Sequence, residues 1–162
     1  MSNVIPTFAD ISPTKGLSLD EKVAVEHFLG KSVEMAQALF KENSIYYAGD
    51  IMWMGTKAFA YYFPAFASYL VSEDARGDAD ALNSLVGLLT FRSENDPESI
   101  NLASRVIDTC IDSCLAEYEK FSVDAKIYGD LRGELLKIRR AKQANQTDPQ
   151  PNATNARPEP PK

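Results

Sequence analysis

Several groupings in the chain combine residue types and spacings that could do chemistry. Gly30, Lys31 and Ser32 match the end of a phosphate-binding loop. That loop also needs a glycine five residues before Gly30, where Val25 stands, and a preceding strand, where Asp20 to Leu29 has a helical pattern. A helix break followed by a Ser cap accounts for the three residues. His27 would act as a base for Cys110 or Cys114, but both thiols lie on an apolar stripe where thiolate formation is disfavoured. Four apart on one helical face, the two cysteines stack without the torsion a disulfide requires, so they read as small core residues of a reducing compartment. A metal would need two more ligands, and the single His is remote in sequence. Asp108 and Asp112 share a helical face, but the Glu-x-x-His motif of di-metal bundles is missing. Asp74, Asp78 and Asp80 around Gly77 loosely match a calcium loop without its closing bidentate Glu, and read as a solvated acidic turn. The expectation is a non-enzymatic chain with no metal and no cofactor.

A different signal lies in the aromatics. Tyr46, Tyr47, Trp53, Phe59, Tyr61, Tyr62, Phe63, Phe66 and Tyr69 crowd one segment of a chain that holds 8 Phe, 7 Tyr and 1 Trp. Tyr61, Tyr62 and Phe63 are consecutive and point to different sides of a helix. Two readings follow: a core that wraps this segment from several sides, or exposed rings that serve as binding anchors beside an acidic rim.

The elements that must position these residues are helical almost throughout. Ser18 with Glu21 has capping-box spacing, and Val23, Val25, Phe28 and Leu29 follow as an apolar face that Gly30 ends. Ser32 opens a second helix with Met35, Ala36, Leu39 and Phe40 repeating at three and four. Asn43 to Gly49 read as a loop, Asp50 as the cap of a short turn through Trp53, and Thr56 as the cap of a helix to Phe63. Pro64 fits a helix start or a kink. Asp78 or Asp80 starts the next helix; Asp96, Pro97 and Glu98 start another, whose stripe runs Ile100, Ala103, Ile107, Cys110, Cys114 and Phe121. A last helix spans about 124–142. No alternating strand pattern appears. The expected fold is all-α: one compact bundle of six or seven helices over 18–142, after an irregular N-terminal arm at 1–17. Residues 143–162, rich in Pro and Asn, have almost no apolar side chains and read as a disordered tail. Asn152 there heads a glycosylation acceptor pattern read as chance.

Length and charge bound the function. The 162 residues carry 17 Lys+Arg against 23 Asp+Glu, a net charge of −6. Residues 1–130 hold 10 bases against 20 acids, whereas 131–142 hold five bases against Glu134. The acidic body argues against nucleic acid and anionic lipid as partners. The basic end reads as stabilisation of a helix C-terminus by its dipole, with a nucleic-acid or lipid contact as the alternative. No apolar run reaches the length of a membrane span, and Met1 to Asp10 lack the pattern of a secretory signal, so a cytoplasmic chain is expected.

The stretch from Phe28 to Leu70, with FLGKSVEMAQALF, GDIMWMGTKAF and AYYFPAFASYL, resembles small bacterial helical proteins of polymorphic-toxin and contact-dependent competition loci, where cognate immunity proteins are common. The resemblance implies a protein that binds and occludes a toxin, and it carries over no established functional residues. Combined with the acidic body, it points to a basic protein partner. The expected contact residues are Trp53, Tyr61, Tyr62 and Tyr69 as aromatic anchors and Asp74, Asp78 and Asp80 as a charged rim. The alternatives are a small-molecule-binding regulator or small enzyme with a pocket lined by the same aromatics, and a homo-oligomeric scaffold that uses them as its own interface, a homodimer in the simplest case.

Overall fold

In the computed structural model, which describes residues 4–16 and 18–147, every regular element is a helix. Ten α-helices follow in order: α1 Phe8–Ile11, α2 Leu19–Phe28, α3 Val33–Glu42, α4 Ser44–Trp53, α5 Thr56–Val71, α6 Ala79–Asn95, α7 Pro97–Leu102, α8 Ser104–Ala116, α9 Ala125–Tyr128 and α10 Leu131–Thr147. Three of them, α1, α7 and α9, are six residues or shorter, which leaves seven longer helices to build the bundle. The all-α expectation stands.

Local chemistry sets most boundaries. The Ser18 and Ser32 hydroxyls accept from the third backbone N–H of α2 and α3, as the sequence predicts. Asp78 and Asp96 do the same for α6 and α7, with Pro97 in the first turn of α7. Gly30 takes φ +77° after α2, a conformation that few other residues adopt without strain.

Several expectations need correction. Residues 43–49 are not a loop: the Asn43 side chain accepts from the Tyr46 N–H at 3.1 Å and starts α4 directly behind α3. Asp50 consequently lies inside a helix and caps nothing. Helix α5 does not stop at Phe63: of the two expectations for Pro64, a place inside a continuous helix holds, with the ring half-buried. Residues read as an irregular arm contain α1, with a full capping box between Thr7 and Asp10. The buried Glu21 carboxylate holds the stretch after α1, accepting from the Ser12 and Thr14 hydroxyls at 2.7 and 2.6 Å and from the Thr14 N–H at 3.0 Å. The chain also presses close at Gly55, where a Cβ would lie 2.5 Å from the Asp10 carbonyl. The helix expected to run from Pro97 through Phe121 is split into α7, α8 and a short 3-10 turn at Tyr118–Phe121. The one expected over 124–142 is two, α9 and α10, with α10 running to Thr147, five residues past the expected boundary. The rest of the expected tail, Asn152 included, lies outside the described residues.

Helix α5 is the centre. It packs on α1, α3, α4, α7 and α8, and buries Ala58, Phe59, Tyr62, Phe63, Ala65, Phe66, Ala67, Tyr69 and Leu70. Most of the helix surface is therefore covered, with the stripe from Lys57 through Tyr61 and Pro64 to Val71 left partly open. Beside α5 lies the buried Arg92 guanidinium of α6. It donates to the Met54 carbonyl at 2.7 Å, to the Met52 carbonyl at 3.2 Å and to Ser99 Oγ at 3.0 Å, pairs with Asp96, and lies 4.5 Å over the Phe59 ring. Replacing Arg92 with Met would leave two carbonyls without donors and strip the half-buried Asp96 carboxylate of its charged partner, leaving it the Thr56 hydroxyl and the Ser99 N–H. Urea unfolding should show a loss of about 3–5 kcal/mol, the usual result of removing one partner from a buried ion pair.

Candidate functional site

Helices α4 and α6 lie side by side and run the same way, because two contacts pin them in register. The Ser44 hydroxyl, at the start of α4, donates to Asp78, the cap of α6, at 2.7 Å. Trp53, at the end of α4, meets the Phe91 ring edge-on, centroids 5.0 Å apart. The inner face of α4 buries Tyr47, Ala48 and Ile51. Its outer face carries Ile45 and Tyr46, both about half exposed, then Gly49, Met52 and Trp53, the last 42 % exposed. Residues 45, 46, 49, 52 and 53 recur at three, four and seven, so they form one stripe along the helix. On α6 the outward positions are Asp80, Asn83, Gly87 and Glu94, with Phe91 half-buried beside Trp53. The two helices contain two other charged residues, Asp50 and Arg92, and both are buried. Every exposed charge on α4 and α6 is therefore acidic.

The predicted contact residues divide sharply. Trp53 is exposed on this face, and Asp80 is exposed at its α6 end, accepting from the Tyr128 hydroxyl at 2.7 Å. Asp74 is exposed and paired with Lys41 at 3.0 Å. Asp78 is half-buried and engaged three times over: it caps α6 and accepts from both Ser44 and Tyr69 at 2.7 Å. Tyr62 and Tyr69 are corrections to the expected anchors. Tyr62 is fully buried, its hydroxyl donating to the Phe28 and Lys31 carbonyls at 2.8 and 2.9 Å, and burial pushes its phenol up from the usual range. Tyr69 is also buried, and burial together with the Asp78 carboxylate pushes its phenol up. Both rings belong to the core because their hydroxyls find partners inside it.

Tyr61 stands apart from the rest. Half-buried on α5, it lines a groove of about 970 Å³ with Ile5, Val33, Lys57, Pro64 and Leu102, on a different side from Trp53. Sequence reasoning missed Ile45, Met52 and Phe91 because it placed 43–49 in a loop. The signal was available: Ile45 with Met52 and Tyr46 with Trp53 are each seven apart behind an Asn cap.

His27 and Asp50 form the one acid–base pair with a catalytic look. Nδ1 of His27 lies 2.7 Å from Oδ2 of Asp50, with Tyr46 and Tyr47 against the imidazole at 5.2 and 5.3 Å. The pair joins α2 to α4, whereas Cys110 and Cys114 lie on α8, which packs on α5 and α10. The imidazole faces the Asp50 carboxylate and the Tyr46 and Tyr47 rings, and the pair acts as a tie between α2 and α4. Both thiols are buried, and the hydrogen bond between them together with burial pushes Cys110 well above the usual thiol range. Among the described residues no group of three or more His, Cys, Asp or Glu side chains could hold a metal, and no helix is long and apolar enough to cross a membrane.

Comparison with family models, with curated proteins and with solved structures returns no match to this chain.

Burial raises the Asp50 carboxyl above the usual range, against the opposing hydrogen bond from His27. A carboxyl raised by folding stabilises the native state below its unfolded value and loses that contribution as pH rises through the folded one. Asp50→Asn keeps an acceptor for His27 without the charge. Thermal melts should find the variant more stable than wild type at pH 7, with the difference shrinking toward zero near pH 3.

Proposed function

We propose that this chain is a protein-binding protein of the immunity type, which neutralises a basic toxin by occluding it through the outer face of α4 and α6. The observation that carries the reading is Trp53: a half-exposed ring in an apolar stripe, on two helices whose exposed charges are all acidic. Large rings left partly in water are the residues that most often anchor interfaces, and exposed apolar stripes mark contact surfaces. Acidic side chains at the ends of the stripe, Asp80 and Glu94, would steer a cationic partner and suppress wrong ones. The resemblance of residues 28–70 to proteins of toxin loci supports the specific role. In this reading the bound toxin is blocked mechanically, and no bond is made or broken by this chain.

One observation favours a second reading, that of a small-molecule-binding regulator. The groove at Tyr61 has the volume of a ligand site and a mostly apolar lining. A metabolite screen by thermal shift would support that reading if a hit lost its effect in Tyr61→Ala and kept it in Trp53→Ala.

The immunity reading is tested by co-expressing the chain with the toxin encoded beside its gene. Wild type should restore growth, whereas Trp53→Ala should weaken binding at least ~30-fold, as a hot-spot truncation of about 2 kcal/mol does. The ring also packs on Phe91, so the melting temperature should fall while the chain stays folded at the assay temperature, where binding is compared. Growth without this chain, or full protection by Trp53→Ala, overturns the proposal. Asp80→Lys should slow association most at low salt. Asp78→Lys, by contrast, should destabilise the fold, because Ser44, Tyr69 and the α6 cap all depend on that carboxylate.

A further inference from the structure

Two glycines lie where this fold has no use for them. Gly87 is exposed in the middle of α6, and Gly49 is half-buried in the middle of α4. Neither has positive φ, and a Cβ built at either one meets nothing within 4 Å. Alanine would fit at both and would favour the helix. Their placement is specific. Gly49 is four residues before Trp53 and Gly87 four before Phe91, so each lies one turn below its ring of the stacked pair. Helices α4 and α6 are pinned in parallel register by Ser44 with Asp78 and by Trp53 with Phe91. With no side chain at either position and nothing within 4 Å of where a Cβ would lie, each helix is cut back one turn below its ring of the Trp53–Phe91 pair, a notch in the α4–α6 face with Asp80 and Glu94 farther out along α6.

We infer that this notch seats an apolar side chain from a cationic amphipathic helix of the partner. The inference rests on the proposed use of this face and adds the partner's chemistry. Both α4 and α6 satisfy their own backbone hydrogen bonds, so the face offers no strand edge for an extended segment to join. Two parallel helices instead present a shallow trough, about 15 Å long over the ten residues of α4. A helix laid in such a trough reads it through residues three and four apart. Neither α4 nor α6 carries an exposed base, so Lys or Arg on either side of the inserted residue meets Asp80 and Glu94 as the exposed charges of the two helices.

Trp53 is the only tryptophan, so its emission reports on this face alone. The probe is a synthetic amphipathic helix of Leu and Lys, titrated into the full chain beside a scrambled peptide of the same composition. A saturable blue shift of Trp53 emission is expected with the helical peptide, weakened by added salt. The scrambled peptide should bind roughly tenfold less tightly or worse, the worth of one buried aliphatic side chain. Gly87→Leu and Gly49→Leu fill the notch and should lower affinity by a similar factor while the chain stays folded. Gly87→Ala should raise the melting temperature by roughly 2–4 °C, as a removed helix glycine does in a chain of this size. Equal binding of both peptides, an unmoved Trp53 emission, or wild-type affinity in both Leu variants overturns the inference. The two failures are separable: loss of toxin protection in Trp53→Ala with full protection in both Leu variants keeps the face and removes the notch. Full protection in Trp53→Ala removes the face itself.

Discussion

The buried guanidinium of Arg92 is the contact on which the arrangement of α4, α5, α6 and α7 depends. Helix α4 ends at Trp53 with carbonyls that no later turn of helix can satisfy, and Arg92 donates to those of Met52 and Met54. The same group meets Ser99 of α7, pairs with Asp96, and lies over Phe59 of α5. Asp96 in turn accepts from Thr56 at the start of α5 at 2.9 Å while capping α7. Desolvation lowers the Arg92 pKa, and Asp96 opposes the shift. An arginine can stay charged under such burial because its ordinary value is so high. Its five donors in a rigid fork also let one side chain serve four neighbours. The outer face of α4 has its position relative to α6 because this hub, Ser44 and Trp53 act at different points along the two helices.

Charge is distributed by the same logic of internal pairing. The basic end of the chain is not a free cationic helix. On α10, Arg139 donates to both carboxylate oxygens of Asp112 at 2.8 and 2.9 Å, and Lys142 pairs with Asp108 at 2.9 Å while donating to the Ser104 carbonyl at 3.0 Å. Arg132 meets Glu119 at 3.1 Å and lies 4.4 Å over Tyr118. These contacts set α10 antiparallel along α8, and Arg139 holds the Asp112 carboxyl below its usual range. Neutralisation is therefore local to the α8–α10 side. On the α4–α6 side, Asp80 and Glu94 meet no base on their own helices that is not already buried. The net charge of −6 thus understates how one-sided the acidity is.

The aromatic cluster shows how far one sequence signal can be divided by packing. Consecutive rings at 61–63 cannot share a face, and so the sequence requires that they separate. Tyr62 and Phe63 went to the core, where Tyr62 finds two carbonyls, while Tyr61 stayed half-buried on the groove. Tyr69 looked like an anchor and became a support, because Asp78 lies within its reach and is needed to cap α6. Trp53 stays partly exposed at the end of α4, with Phe91 against one edge of its ring.

The residues alone determined the all-helical fold, most helix starts and the break at Gly30. These follow from local chemistry: a Ser, Asn or Asp oxygen within reach of its own next turn, a proline in a first turn, a glycine at positive φ. They also determined that the chain is acidic with a basic end. Folding decided what local rules leave open. Helix α4 was read as a loop because its Gly49 and aromatic-rich start score poorly for a helix by themselves, and packing against α2, α3, α5 and α6 supplies the difference. Pro64 stays inside α5 for the same reason, since burial on several sides outweighs one lost backbone bond. Which tyrosines stay near the surface and which are core, and that Trp53 meets Phe91, depend on how helices far apart in sequence meet. Those meetings are made by Arg92, Asp78 and Ser44 across more than thirty residues of chain, a distance at which periodicity and capping carry no information.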